Sequence, residues 1–247
     1  MGRALRQTEA ILRGHHQAVD VQRDPLPSWF AFVSWACWLK LSFFLMTTLA
    51  QQATTKPRIA IYGGAFDPVH CAHLEVARMA CRQASLDDLI FMPAAHSPLK
   101  VQGPVASGAA RIKMLELALA DEVGFSIDDF ELKRSGVSYT IDTVRDFKNR
   151  KSEAELFWII GGDQFAQLDR WRDTNQLVKM LTFLVLARPG YDLSVPTIPE
   201  LVWKKVEAPL MNESSTLVRE RVAGGKSIMG LLPSSVEAFI RENRLYT

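Results

Sequence analysis

The chain has 247 residues, 48% of them hydrophobic and 23% charged, with a formal net charge of +2. That length suits one domain or one domain with an appendage, and the apolar share is ample for a core. Nothing in the near-neutral charge suggests a nucleic-acid surface, which would need a clustered basic excess. The three cysteines, Cys37, Cys71 and Cys81, exclude a disulfide framework and point to a reducing, cytoplasmic setting.

Residues 1–55 read as an N-terminal extension, distinct in character from 56–247. Trp29–Leu39 is an apolar or weakly polar run, Lys40 interrupts it and Leu41–Met46 resumes it, so that 29–49 approaches the length of a membrane span. Lys40 sits near the middle, where a charge costs about 2.5–3.5 kcal/mol on insertion scales. The polar stretch ahead of the run is long for a secretory signal. The extension is therefore expected to be dispensable, with Met46 as the working start, and weak membrane contact through 29–49 is the disfavoured alternative.

From Pro57 onward short apolar runs alternate with helical patterns. The strands are expected at 58–62, 89–92, 125–127, 156–160 and 182–186, each nearly all apolar, as for strands covered on both faces. Helices are expected at 74–80, at 108–120 with a broad apolar face through Ile112, Met114, Leu115, Leu117, Ala118 and Leu119, and near 214–223 and 234–243. Ser214 or its neighbour caps the third, Gly224-Gly225 ends it, and Pro233-Ser234 opens the fourth. The alternation predicts an α/β fold: a doubly wound parallel sheet with helices on both faces, in one catalytic domain. Ligands of such sheets bind at the carboxyl ends of strands, where the winding order reverses. The turns Gly63-Gly64, Gly161-Gly162-Asp163 and Pro93–Lys100 all follow strands and are expected to converge on that edge.

The first of these turns carries the densest chemistry: Gly63-Gly64-Ala65-Phe66-Asp67-Pro68-Val69-His70-Cys71-Ala72-His73. It lies between the strand Arg58–Tyr62 and a helix, so unsatisfied helix N–H groups point at whatever lies in front of them. Two glycines allow an anion to approach closely. Histidines three residues apart at the helix start can face the same phosphate. A zinc site is the other reading of His-x-x-His, but it needs two more ligands, and the remaining histidines are His15, His16 and His96.

This stretch resembles the G-G-x-F-D-P-x-H-x-G-H signature of nucleotidyltransferases, and among them the nicotinate-nucleotide adenylyltransferases. Ala72 stands where the family has glycine. A second segment, Ser214-Ser215-Thr216-Leu217-Val218-Arg219, resembles the family's I-S-S/A-T-x-x-R, with Glu213 in place of isoleucine. Hydroxyls and N–H groups at a helix start hold phosphate oxygens, and Arg219 can fork two bonds to them. The ordinary alternative is an N-cap with a surface arginine. The resemblance spans about 57–246.

The resemblance implies a Rossmann-like form of the sheet and a reaction between ATP and nicotinate mononucleotide that gives the dinucleotide and pyrophosphate in NAD biosynthesis. ATP would meet Gly63, Gly64, Ala65, Phe66, His70, His73, Asp163, Ser214, Ser215, Thr216 and Arg219. His70, His73, Lys100 and Arg219 would be catalytic. The nicotinate nucleotide would meet Asp67, Tyr139, Thr140, Trp171 and Arg172, with Trp171 stacked on the pyridine ring and Asp163 on the ribose of the adenosine half. Mg²⁺ is expected on phosphates and water, without protein ligands.

Local alternatives stay open: Asp163 as the N-cap of a short helix, Trp171 and Arg172 as helix-edge packing, and Arg188 as either a nucleotide contact or a surface charge. A sibling adenylyl- or cytidylyltransferase acting on another phosphorylated acceptor, or a non-catalytic nucleotide-binding sensor, are the alternative functions. Gly225-Lys226-Ser227 is not a P-loop, because Glu220 occupies the required glycine position and the segment follows a helix. There is no G-x-G-x-x-G and no G-x-S-x-G.

Overall fold

Ile59 and Ile61 face one side of the first strand and Ala60 the other, and each side buries its own core. This alternation runs through the centre of a computed structural model that describes residues 56–98, 102–134, 136–187, 192–209 and 211–247. The expected extension 1–55, with the stretch 29–49 and Met46, lies outside the described residues, as do Lys100 and Arg188. Among the described residues no helix is long and apolar enough to cross a membrane.

Six strands form one sheet: β1 (Arg58–Gly64), β2 (Asp88–Pro93), β3 (Phe125–Ile127), β4 (Glu155–Gly161), β5 (Thr182–Ala187) and β6 (Trp203–Glu207). Their spatial order is β3-β2-β1-β4-β5-β6, and every neighbouring pair is parallel. The order reverses between β1 and β4, which places the ligand crevice of a doubly wound sheet at their carboxyl ends. Period-two alternation sorts the side chains. Phe157, Ile159 and Leu184 join Ala60 in one core, whereas Leu156, Trp158, Ile160, Phe183 and Val185 join Ile59 and Ile61 in the other.

The helices cover both faces. On the Ala60 side lie α1 (Cys71–Ala84), α2 (Gly108–Ala118), α7 (Ser215–Ala223) and α8 (Ser234–Glu242), contributing Leu74, Met114, Val218 and Val236 to that core. On the Ile61 side lie α4 (Thr140–Arg150), α5 (Gly162–Phe165) and α6 (Thr174–Leu177), contributing Val144, Phe165 and Leu177. The short α3 (Phe130–Arg134) follows β3.

Two boundaries differ from expectation. β1 runs on through both glycines, which pair with Met92 and Pro93 of β2. α1 starts at Cys71, three residues before the expected apolar pattern, with His70 as its N-cap in extended conformation. β6 was not expected at all. Its Lys204 and Lys205 are exposed and only Val206 is buried, as suits an edge strand.

Candidate active site

β1, β2 and β4 are neighbours, so their exits do converge. The Ala94 N–H donates to the Gly64 carbonyl at 2.8 Å, tying the exit of β2 to that of β1. A Cβ on Gly63 would lie 2.7 Å from Cζ2 of Trp158, so glycine is required there by the close approach of an indole. Phe66 has φ +48°, and its buried ring packs on Tyr62, Phe91 and His73 at centroid distances of 5.5, 5.4 and 5.1 Å. The Phe66 side chain is therefore a core element.

His70 and His73 stack, with ring centroids 3.7 Å apart and planes inclined by 28°. The His70 N–H donates to Nδ1 of His73 at 3.2 Å. A neutral ring that accepts at Nδ1 carries its proton on Nε2, so His73 is held as a donor at Nε2. His70 is 6% exposed, and its Nδ1 is buried without a hydrogen-bond partner. Burial pushes its pKa down to about 4, so the ring is neutral at physiological pH. The front of α1 is partly occupied, because the Cys71 N–H donates to the Leu231 carbonyl at 3.0 Å. Ala72, at the second helical position, is buried with its methyl inside the protein.

Asp67 does not open into the crevice. It is 3% exposed, and its carboxylate accepts from the Val105 N–H (2.6 Å), the Ala106 N–H (3.1 Å) and the Tyr246 hydroxyl (2.7 Å). Its carbonyl accepts from Nη1 of Arg219 at 2.7 Å. The expected nucleotide contact of the Asp67 side chain is thus replaced by three internal bonds.

The second motif docks against the first. The Ser215 hydroxyl donates to the Pro68 carbonyl at 2.8 Å. Ser214 is the N-cap of α7 and accepts from the Leu217 N–H at 3.1 Å, while Nη2 of Arg219 donates to the Thr216 hydroxyl at 3.3 Å. Arg219 lies in the second turn of α7. Ser214 is thus the cap that was expected of it or its neighbour.

Beyond the histidines, Tyr139, Trp171 and Arg172 gather on the Ile61 side. Tyr139 is the N-cap of α4, which Thr140 opens, and the Arg172 guanidinium lies 4.7 Å from the Tyr139 ring centroid. Trp171 packs edge-on against Phe183 at 6.5 Å, with Nε1 buried and unpartnered. Asp142 in the first turn of α4 faces Arg134, Arg145 and Arg172. At the exit of β4, Gly161 rather than Asp163 caps α5, and Asp163 is exposed in its first turn. The N-cap alternative for Asp163 is thereby removed.

Sequence reading missed two buried charges. Arg111 is 2% exposed, and its Nη1 donates to the carbonyls of Ala65 and Ala94 at 2.8 Å each, holding the exits of β1 and β2 together. Burial draws its pKa down, and the nearby Asp67 opposes that. Its signal was present: position 111 falls in register with the buried 114, 115 and 118. Glu131 is buried and accepts from the Thr143 hydroxyl at 2.6 Å, fixing α3 to α4, and its pKa is raised chiefly by burial. Among the described residues no group of three or more His, Cys, Asp or Glu side chains is arranged to hold a metal ion.

A parallel doubly wound sheet with paired imidazoles at its switch point and an arginine-bearing helix docked beside them defines a phosphate-handling nucleotide-binding protein. Comparison with known proteins agrees: the cytidylyltransferase-like family matches residues 61–221. A probable nicotinate-nucleotide adenylyltransferase of Methylacidiphilum infernorum is 41% identical over 199 residues, covering 78% of this chain and 94% of the relative. One from Opitutus terrae is 41% identical, covering 76% and 97%. The chain belongs to the nicotinate-nucleotide adenylyltransferase family. Among solved structures, the Plasmodium falciparum nicotinic acid mononucleotide adenylyltransferase complexed with NaAD superposes with a TM-score of 0.64 at 18% identity, covering 78% of this chain and 98% of that one. At that identity the likeness speaks for the fold.

Proposed function

We propose that the protein transfers the adenylyl group of ATP to nicotinate mononucleotide, giving nicotinate adenine dinucleotide and pyrophosphate, as a cytoplasmic step of pyridine nucleotide synthesis. The observation that carries this reading is the stacked His70–His73 pair at the exit of β1, in a chain 41% identical to relatives named for this activity.

The acceptor's phosphate oxygen is already ionised at neutral pH, so neither a general base nor a covalent intermediate is required. That oxygen attacks the α-phosphorus of ATP in line. The new P–O bond forms as the bond from phosphorus to the α–β bridging oxygen breaks, and pyrophosphate leaves with the electron pair. The protein's task is alignment and charge stabilisation. His73 donates from Nε2 to the α-phosphate as charge builds, and the neutral His70 ring offers its second polar edge toward the bridging oxygen. Gly63, Gly64 and Ala65 let the phosphates approach the backbone. Arg219 and Lys100 hold the pyrophosphate end, with Ser214, Ser215 and Thr216 fixing the helix that carries Arg219. Asp163 meets the ribose of the adenosine half. Tyr139, Thr140, Trp171 and Arg172 take the pyridine nucleotide.

The donor set at this corner is imidazole and guanidinium, and Asp67, the carboxylate of the first motif, is saturated by three donors. Such a set fits a Mg²⁺ ion that is held by phosphate oxygens and water and neutralises the charge of the triphosphate.

Pyrophosphate release measured with ATP and a panel of acceptors tests the reading. Nicotinate mononucleotide is expected to give the highest kcat/KM, above nicotinamide mononucleotide. Faster release with phosphopantetheine or glycerol phosphate would make the protein a sibling transferase. Binding of ATP without release from any acceptor would make it a sensor.

A further inference from the structure

One hydrogen bond between the histidine loop and the rest of the fold comes from a residue outside both motifs. Tyr246 lies beyond α8, and its hydroxyl donates to Oδ1 of Asp67 at 2.7 Å. The same carboxylate receives the Val105 N–H on Oδ2 and the Ala106 N–H on Oδ1. Those two amides end the segment that runs from the exit of β2 through position 100. Asp67 itself stands three residues before His70 on the loop between β1 and α1. One buried carboxylate therefore joins the loop that carries the histidines to the segment that carries Lys100, and Tyr246 holds that carboxylate in place.

Tyr246 is itself held firmly. It adopts φ +66°, and Arg244 two residues earlier adopts φ +49°, both in the left-handed region that non-glycine residues seldom enter. Such conformations persist where surrounding contacts over-determine them. Here the contacts are the Asp67 bond and the packing of Leu245 and Tyr246 against the Ala60-side core. Burial and the Asp67 bond push the phenol pKa far upward, so it stays a donor throughout the physiological range.

We propose that Tyr246 is a positioning residue for adenylyl transfer: through Asp67 it sets the placement of the His70–His73 loop relative to the 105–106 backbone, without touching substrate. Loss of the hydroxyl leaves Oδ1 with the Ala106 amide and Oδ2 with the Val105 amide, so the carboxylate keeps its tie to 105–106 but loses its tie to the C-terminal segment, and its hold on the loop loosens. The histidines then meet the α-phosphate less often in the reactive geometry. Displacements of about 1 Å at such distances cost on the order of 10²-fold in rate. Ground-state binding of ATP, which draws on the glycine turn and Arg219, is affected less.

The inference rests on the adenylyl-transfer reading, and Tyr246→Phe in the full chain tests it. That variant keeps the ring and its packing and removes one hydroxyl. The expected result is a kcat about 10- to 100-fold lower, KM values for ATP and nicotinate mononucleotide within about twofold, and a melting transition that stays well above the assay temperature, so that the loss is not one of folded protein. A kcat equal to wild type overturns the inference. So does a kcat loss accounted for by melting at the assay temperature, which would mark a structural role. A double-mutant cycle with Asp67→Asn adds a second readout: the two kcat losses are expected to be strongly non-additive, and independent losses also overturn it. If wild type itself forms no dinucleotide from these substrates, the proposed function fails, and that outcome is separate from any effect at Tyr246.

Discussion

Nδ1 of His73 accepts the backbone N–H of His70 at 3.2 Å while the two rings stack 3.7 Å apart. One histidine thus fixes the tautomer of the other, and a single helix N-terminus delivers a donor imidazole beside a neutral one. His73→Ala removes the oriented donor and leaves the Phe66 cluster and α1 in place. Turnover is expected to fall about 10²–10³-fold, the scale for loss of one preorganised donor to a developing oxyanion. Steady-state kinetics beside a thermal melt checks this, and near wild-type turnover would sink the mechanism.

Because burial lowers the His70 pKa from 6.5 to about 4, the unfolded chain binds this proton more readily than the folded one. The stabilising contribution is therefore complete above pH 6.5 and is lost as pH falls toward 4. His70→Gln should flatten this part of the profile. Urea midpoints of wild type and variant, compared at pH 7 and pH 5, give the difference; a wild-type loss on acidification no larger than the variant's would contradict it.

Arg111→Met keeps the apolar stem and deprives the Ala65 and Ala94 carbonyls of their shared donor. Two buried acceptors left unpaired cost about 2–4 kcal/mol of stability together. Chemical denaturation should show this as a lower midpoint. Because the same bonds hold the exits of β1 and β2 together, KM for ATP should rise as well.

Gly63→Ala places a methyl 2.7 Å from Cζ2 of Trp158, and Trp158 is buried between β1 and the Ile61-side helices. Overpacking of this kind costs about 1–3 kcal/mol. The indole must shift to relieve it, so the emission spectrum of the folded protein should change together with the melt. A stable variant with unaltered emission would show that the approach is looser than 2.7 Å.

The central strands were legible because residues 58–62, 156–160 and 182–186 are apolar on both faces, a pattern that parallel burial produces and few other environments do. β6 was not, since Trp203–Glu207 puts two lysines on a sheet edge and keeps one buried valine. The histidines at the start of α1 were readable from type and spacing, whereas the two glycines, expected as a turn, lie inside β1. Phe66 and Asp67 were readable as motif members but not as buried groups, because their burial depends on Phe91, Val105 and Tyr246, which are distant in sequence. The helical register of 111 with 114, 115 and 118 marks Arg111 as inward-facing, but the carbonyls that receive it, like the Thr143 hydroxyl that Glu131 accepts from, come from other elements that no local pattern announces.

The sheet sets the phosphate corner and the Tyr139–Trp171–Arg172 cluster on different supports. Phe66, Val69 and Val218 are rooted in the Ala60-side core, while Tyr139 and Trp171 rest on the Ile61-side core. The hydrogen-bonded backbone of a six-stranded sheet stands between the two like a bulkhead. Substitutions in the packing of one face can accordingly be absorbed without disturbing the other, so the two clusters are free to vary independently.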